Sequence, residues 1–379
     1  MIKRVLEKTI EAKIGSGKAI IITGARQTGK TTLLSSLLRE REGTLWLDAD
    51  EPDVQALFEN PTSDRLKTLF TGKKLLIIDE AQRIKNTGIK LKLITDHLKH
   101  IQLIATGSSS FELANQINEP LTGRKWEYQL FPLSFEEMVA HTNLLEEIRL
   151  IPHRLVFGYY PEIVTNPGSE RDILKQLTDS YLYKDILMWE RINKPDKLVR
   201  LLRSIAFQIG NEVSYNELAN NLGIDNQTVE KYIQLLEQTF VIFRLGAFSR
   251  NLRKELKRSR KIYFYDNGIR NSLIANFNPP ELRGDAGALW ENFIIAERTK
   301  FIRNNNLWAN TYFWRTQDQQ EIDYIEERDG MLNAYEIKWN PKSKARLSKT
   351  FSSAYNTSFE VITTENFDSF ITGSIAKVN

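Results

Sequence analysis

Cysteine is absent from this chain of 379 residues, and histidine and methionine occur only four times each. Without thiols the protein can form no disulfide bond and no thiolate metal site, and the spacing of the four histidines matches no metal-binding motif. The chain contains no run of eighteen apolar residues, so it offers no membrane span. Its first residues carry charges of both signs and lack the apolar core of a signal peptide. We therefore expect a cytoplasmic protein that does not engage a membrane.

Charge is plentiful but unevenly distributed. Apolar residues make up 41% and charged residues 26% of the chain, as in a soluble globular protein large enough for several domains. One short segment holds seven basic residues and one acidic residue, which gives it a net charge of +6. Since the whole chain has a net charge of +4, the rest of the chain sums to −2. Its basic residues are Arg250, Arg253, Lys254, Lys257, Arg258, Arg260 and Lys261. Such a patch is typical of a surface that binds DNA phosphates, and a solvated loop is the alternative.

A phosphate-binding loop is predicted near the N-terminus. Residues 24–31 read G-A-R-Q-T-G-K-T, which fits the pattern G-x-x-x-x-G-K-[ST] at every fixed position. An apolar, β-branched run precedes the loop and a helical pattern follows it. In this setting the backbone N–H groups and the helix N-terminus would face the phosphates of a nucleotide. The predicted contacts come from Gly24, Ala25, Arg26, Gln27, Thr28, Gly29, Lys30, Thr31 and Thr32.

A further predicted strand ends in two carboxylates, Asp79 and Glu80, which is the Walker B pattern. Asp79 and the Thr31 hydroxyl are predicted to hold Mg²⁺, while Lys30 reaches the β- and γ-phosphates. Glu80 would orient and deprotonate the attacking water. Surface charges that open the next segment are the alternative explanation of the acidic pair. Together the two motifs predict that the protein binds ATP with Mg²⁺, and the adjacent carboxylates favour hydrolysis.

Two further residues are candidates for contact with the nucleotide. The strand predicted at 101–106 runs into a glycine and three serines, where related ATPases carry a polar sensor of the γ-phosphate. Ser108 is the first choice and Ser109 the second, with a simple turn as the alternative. Arg124 could reach the nucleotide of its own subunit or of a neighbour in a homo-oligomer, and an arginine finger can raise the rate by about 10³–10⁵. A structural surface arginine is the alternative for Arg124.

The patterning predicts an α/β chain in four regions. A P-loop core with a parallel sheet occupies residues 1–131, and a helical lid or linker follows at 132–195. Residues 196–261 read as a winged helix-turn-helix that ends in the basic segment. A small α/β domain completes the chain at 262–379. The third helix of the winged region offers a weak base-reading face, so sequence-neutral contact with DNA is favoured, and packing against a protein stays open.

The last region contains a second group of carboxylates. A hairpin is predicted around Asp329-Gly330, and the alternation of a strand places Glu336 and Lys338 on one face. With Asp323 on the neighbouring strand and Glu291 on the preceding helix, these carboxylates could bind Mg²⁺ while Lys338 activates water. A hairpin with its polar side in solvent is the alternative.

Taken together, these motifs resemble a prokaryotic family of AAA+-like ATPases of the ASCE class, whose C-terminal domain is similar to the PD-(D/E)XK nuclease superfamily. In the core the resemblance rests on Gly24, Arg26, Gln27, Gly29, Lys30, Thr31, Asp79, Glu80, Gln82, Ser108 and the Gly123-Arg124 pair before Pro132. In the C-terminal domain Glu291, Asp323, Glu336 and Lys338 fall where that superfamily has its metal site. The resemblance implies an ATPase core followed by a nuclease-like fold.

The sequence thus predicts ATP hydrolysis coupled to the binding or remodelling of DNA. Two alternatives stay open. One is a nucleotide-dependent signalling switch or scaffold that binds proteins, and the other is a metal-dependent nuclease gated by ATP.

Overall fold

The structure is a computed structural model that describes residues 1–108, 117, 119–182, 194–249, 260–316 and 318–373, with the backbone alone at 180–182. The described chain forms two compact units. The first unit consists mainly of Lys3–Pro132, and the second consists mainly of Leu133–Glu237 and the chain from Val241 onwards. No helix within these described ranges is long and apolar enough to cross a membrane.

The first unit is built on a sheet of five parallel strands. The strands are β1 (Ala19–Thr23), β2 (Thr44–Asp48), β3 (Leu75–Asp79), β4 (Gln102–Gly107) and β5 (Lys125–Gln129). Their order in space is β2-β3-β4-β1-β5, so the strand before the phosphate loop and the strand of the acidic pair both flank β4. The α/β class and the parallel sheet predicted for this region are confirmed.

Helices cover the sheet of the first unit. They are α1 (Leu6–Lys13), α2 (Lys30–Leu38), α3 (Pro52–Leu57), α4 (Ser63–Leu69) and α5 (Thr87–His97). Successive side chains of a strand point to opposite faces, and here Ile20 and Ile77 enter one hydrophobic core while Ile21 and Ile78 enter another. Burial on both faces explains why these strands are continuous apolar runs. The first helix ends at Lys13, and Gly15 and Gly17 with positive φ follow it.

The second unit is built on a mixed sheet of six strands with the order β11-β10-β9-β8-β6-β7. The strands are β6 (Ile242–Ala247), β7 (Arg260–Phe264), β8 (Asn310–Arg315), β9 (Glu321–Arg328), β10 (Met331–Ile337) and β11 (Thr357–Ile362). The pairs β6–β8 and β10–β11 are parallel and the other neighbours are antiparallel. Strands β9 and β10 form the predicted hairpin, and both turn residues, Asp329 and Gly330, have the positive φ of a type I′ turn.

Helices of the second unit lie on both sides of β6 in the sequence. They are α6 (Phe135–His141), α7 (Leu144–Phe157), α8 (Pro161–Thr165), α9 (Glu170–Gln176), α10 (Pro195–Phe207), α11 (Tyr215–Leu222), α12 (Asn226–Gln238), α13 (Asn267–Leu273), α14 (Ala286–Asn304), α15 (Lys349–Ala354) and α16 (Phe367–Thr372). Side chains of α6 and α7, such as Phe135 and Leu155, share one hydrophobic core with Trp290 and Phe293 of α14. The helices predicted as a lid therefore share a core with the C-terminal region.

The region predicted as a winged helix contains three helices and two strands. Three helices, α10 to α12, precede the antiparallel strands β6 and β7. Ser214 caps α11 by accepting a hydrogen bond from the N–H of Glu217, and Gly223 ends that helix in the left-handed conformation. Strand β7 crosses the boundary predicted at residue 261 and belongs to the same sheet as β8 to β11. The winged region and the C-terminal region thus share one sheet.

Candidate functional site

The loop between β1 and α2 has the backbone that phosphate binding requires. A Cβ at Gly24 would lie 2.1 Å from the carbonyl oxygen of Leu130, so no larger residue fits there. Gly29 and Gln27 have φ values of 89° and 58°, in the left-handed region that only glycine adopts easily. The loop then enters α2, whose first residue is Lys30. The N-terminus of α2 therefore lies at the end of the loop.

Lys30 places its positive charge inside this loop. Its Nζ donates hydrogen bonds of 3.0 Å to the carbonyl oxygens of Gly24 and Ala25. The Thr28 hydroxyl closes the same turn by donating to the Ala25 carbonyl at 2.8 Å. The residue is only 5% exposed, so the ammonium is held close to the backbone rather than in bulk water. The loop therefore combines backbone N–H groups with a fixed cation, the combination that binds a polyphosphate.

The two predicted metal ligands meet directly. The Thr31 hydroxyl donates a hydrogen bond of 2.8 Å to Oδ2 of Asp79 at the end of β3. The other oxygen, Oδ1, accepts from the hydroxyl of Thr106 on β4. Thr106 Oγ1 in turn accepts from the backbone N–H of Glu80 at 3.1 Å. Hydroxyl and carboxylate oxygens are the ligands that Mg²⁺ prefers, so Thr31 and Asp79 fit the ion that the phosphate-loop motif implies.

An amide links the predicted base to the predicted sensor. Glu80 has a φ of 49°, unusual for a residue with a side chain, and a short 3₁₀ helix (Ala81–Arg83) follows it. Nε2 of Gln82 donates to Oε2 of Glu80 and, at 3.1 Å, to the hydroxyl oxygen of Ser108. Gln82 and Ser108 are both buried. Oε1 of Gln82 is also buried and has no hydrogen-bond partner among the described residues.

Arg4 is a member of the site that the sequence did not reveal. Its Nη1 donates to the carbonyl oxygen of Thr28 and its Nη2 to that of Phe131, both at 2.7 Å. The residue is only 8% exposed and ties the phosphate loop to the segment after β5. These partners lie 24 and 127 residues away in the chain, so no local spacing could have indicated the contact.

Arg124 lies immediately before β5, where its Nε donates to Oδ1 of Asp96 at 2.7 Å. Both side chains are partly exposed, so the pair can contribute only about 0–1 kcal/mol to stability. Contact of Arg124 with a nucleotide, in its own subunit or a neighbouring one, stays a prediction. Ser109 lies outside the described residues.

The second unit brings the four predicted C-terminal residues into one cluster. Asp323 accepts hydrogen bonds from the Ile337 N–H at 2.9 Å and from Nζ of Lys338 at 3.2 Å. The same ammonium lies 2.6 Å from Oε2 of Glu336. Burial and the Asp323 carboxylate raise the pKa of Glu336 to about 7. Burial also raises the pKa of Glu291, against the opposing effect of Lys261.

The prediction that Lys261 belongs to a basic surface is wrong. Its side chain is only 1% exposed, and its Nζ lies 3.1 Å from Glu291 and 2.5 Å from Glu321. Burial alone would lower the pKa of Lys261, but these carboxylates outweigh it and raise the pKa. A lysine enclosed in this way cannot contact DNA phosphates. The pattern of basic residues in the sequence did not distinguish this buried lysine from its neighbours.

Of the remaining six basic residues of the segment, the structure describes only Arg260. Arg260 is half-buried and donates to the hydroxyl of Tyr215 at 3.0 Å, and it lies 3.6 Å from Glu230. The other five members lie outside the described residues: Arg250, Arg253, Lys254, Lys257 and Arg258. Contact between the segment and DNA therefore stays a prediction from the sequence.

Three family models match successive parts of the chain. The model of an AAA domain matches residues 16–139 and covers the phosphate loop, the acidic pair and Ser108. A domain of unknown function (DUF8612) matches residues 148–280, and a second domain of unknown function (DUF4143) matches residues 286–375. The first unit is therefore similar to AAA-type P-loop ATPase domains.

Individual proteins are similar over most of the chain. An uncharacterized protein of Methanocaldococcus jannaschii is 25% identical over 93% of this chain and 82% of its own length. An uncharacterized protein of Mycobacterium tuberculosis is 27% identical over 84% of this chain and 70% of its own length. Among solved structures, a Walker-type ATPase of Pyrococcus abyssi superposes with a TM-score of 0.51 at 16% identity, over 72% of this chain and 96% of that protein. At this identity the likeness shows the fold alone.

Arg4 gives a direct test of how the phosphate loop is supported. We expect Arg4→Met to lower the free energy of unfolding by about 1.5–3 kcal/mol, because two buried carbonyls lose a charged donor. The matched control is Arg83→Met, which removes an exposed ion pair with Asp50 and should cost about 0–1 kcal/mol. Urea unfolding of the two variants measures both values. Equal losses would mean that Arg4 does not support the loop.

Proposed function

We propose that the first unit binds ATP together with Mg²⁺ and hydrolyses it. The observation that carries this proposal is the hydrogen bond between Thr31 and Asp79, because it joins the end of the phosphate loop to the end of the acidic strand. The match to the AAA domain over residues 16–139 supports it. A metal ion held by these two residues would lie next to the phosphates bound by the loop.

Each residue of the site has a distinct part in this reaction. The backbone N–H groups from Ala25 to Lys30 bind phosphate oxygens, and the ammonium of Lys30 moves from the loop carbonyls to the β- and γ-phosphates. Glu80 orients the attacking water and accepts its proton. Mg²⁺, when bound with the nucleotide, neutralises negative charge on the phosphate oxygens. Thr31 and Asp79 would hold that ion.

Gln82 fits the part of a positioning residue. A carboxylate can only accept hydrogen bonds, so the contact with Glu80 fixes the amide with its nitrogen toward the carboxylate. The second hydrogen of that nitrogen is donated to Ser108. Among the described residues, the Ser108 hydroxyl then keeps its own hydrogen to donate to a phosphate oxygen. Gln82 thereby holds the base and the sensor at a defined separation. Catalysis depends on such preorganised contacts.

Loss of the loop cation or the base tests the ATPase assignment. We expect Lys30→Ala to abolish ATP turnover, because the phosphates lose their principal cation, and Glu80→Gln to lower kcat by about 10²–10⁴-fold with ATP still bound. Steady-state phosphate release and binding of a fluorescent ATP analogue give the two readouts. Circular dichroism controls for folding. A folded variant that keeps most of its turnover would defeat the role assigned to its residue.

Gln82→Ala tests the link between Glu80 and Ser108. We expect kcat to fall by at least about tenfold while the KM for ATP changes little, because positioning acts on the chemical step. Gln55→Ala is the matched control, since Gln55 bonds a backbone carbonyl of the same unit outside the site. In a double-mutant cycle with Ser108→Ala the losses should be smaller than additive. Additive losses would show that Gln82 does not act together with Ser108.

We further propose that ATP turnover is coupled to nucleic acid through the second unit. The order of three helices and two antiparallel strands, α10 to β7, supports a winged helix. The five basic residues of the segment that precede β7 support contact with phosphate backbones without base recognition. We also propose that the protein is cytoplasmic and assembles into a homo-oligomer. In that assembly Arg124 would act across the interface between subunits.

Charge reversal in the basic segment tests this coupling. We expect DNA to raise the rate of ATP turnover, and the triple change of Lys254, Lys257 and Arg258 to Glu to remove that increase without altering basal turnover. The measurement is the ATPase rate with single-stranded, duplex and branched DNA at two salt concentrations, since phosphate contacts weaken with salt. The matched control changes the exposed Lys99, Lys342 and Lys344 to Glu. A rate that no DNA changes would favour the protein-binding switch.

A further inference from the structure

Lys261 forms ion pairs with two carboxylates of the second unit, Glu291 and Glu321, and also interacts electrostatically with Asp323. Its side chain starts from β7, and its Nζ lies 2.5 Å from Oε1 of Glu321 on β9 and 5.6 Å from the centroid of the Phe313 ring on β8. The same Nζ lies 3.1 Å from Oε1 of Glu291 on α14. The ammonium thus joins two carboxylates from elements that are far apart in the sequence.

Strand β7 directs a second donor onto the same carboxylate. Tyr263 follows Lys261 by two residues, so both side chains emerge on one face of the strand. The Tyr263 hydroxyl donates to Oε1 of Glu291 at 2.6 Å, and that side chain is fully buried. One carboxylate oxygen of Glu291 therefore receives two hydrogen bonds from the protein itself.

The remaining carboxylates of the cluster are also engaged. Lys338 contacts both Asp323 and Glu336, and the N–H of Ile337 donates to the same oxygen of Asp323. A divalent cation would need these oxygens as ligands and would have to lie beside two ammonium groups of like charge. In agreement, the described residues contain no group of three or more acidic or histidine side chains arranged to hold a metal ion.

We infer that Lys261 is the internal counter-ion of this cluster and takes the place that a divalent cation would need. The C-terminal domain then works without a bound metal, as a binding or structural module rather than as a metal-dependent nuclease. The inference concerns the second unit alone and does not depend on the ATPase proposal.

Titration with Mn²⁺ in the absence of nucleotide tests this inference. All proteins carry Asp79→Asn, which removes the metal ligand of the first unit. We expect the protein that keeps Lys261 to bind no Mn²⁺ at the cluster. Lys261→Met should bind one equivalent of Mn²⁺, with an affinity at least about tenfold higher than that of the protein with Lys261, because the methionine removes the ammonium from the site and keeps an apolar side chain. The loss of the electron paramagnetic resonance signal of free Mn²⁺ measures binding.

Two matched variants identify the site of any bound ion. Lys261→Arg keeps the positive charge and should bind no Mn²⁺, while Asp323→Asn combined with Lys261→Met should lose the gained site. A cluster that binds Mn²⁺ with Lys261 present, and loses it on Asp323→Asn, would overturn the inference. A folded Lys261→Met protein that binds none would overturn it as well. Should that variant not fold, the titration with Lys261 present decides between the two outcomes.

Discussion

The hydrogen bond between Thr31 and Asp79 is the contact on which the first unit depends. Its two residues lie 48 positions apart, at the start of a helix and at the end of a buried strand. They can meet only because β1 and β3 both flank β4, which brings the carboxyl ends of three parallel strands to one edge of the sheet. Thr106, at the end of β4, completes the arrangement by bonding to Asp79 and to the N–H of Glu80. Sheet order is thus the source of the site's geometry.

Local patterns were sufficient to predict the α/β fold of this region. Strands β1 and β3 are apolar runs that end where the polar residues begin, and the loop motif specifies its residues position by position. The parts that escaped prediction depend on tertiary contacts. Arg4 looked like any charged residue near a helix start, and the bridge from Gln82 to Ser108 needs two strand ends side by side. Neither contact leaves a periodic signal in the sequence.

In the second unit, the sequence pattern indicated which residues lie together but not that a neighbouring basic residue is buried among them. The spacing of Asp323, Glu336 and Lys338 did bring these residues together. Yet Lys261, counted with the basic segment, turned out to be buried among the same carboxylates. Charge counted along a chain cannot separate a surface cation from a buried counter-ion, because burial is decided by strand pairing. The pairing of β6 with both β7 and β8 also joins the region predicted as a winged helix to the C-terminal strands.

The most direct measurement of the central claim is a single-turnover assay of phosphate release from ATP, with excess protein, in Mg²⁺ and in EDTA. If Thr31 and Asp79 hold the metal beside the phosphates, release should occur in Mg²⁺ and stop in EDTA, with ADP and phosphate formed in equal amounts. Absence of phosphate release in Mg²⁺, or a rate that EDTA leaves unchanged, would contradict the assignment of ATP hydrolysis to the first unit.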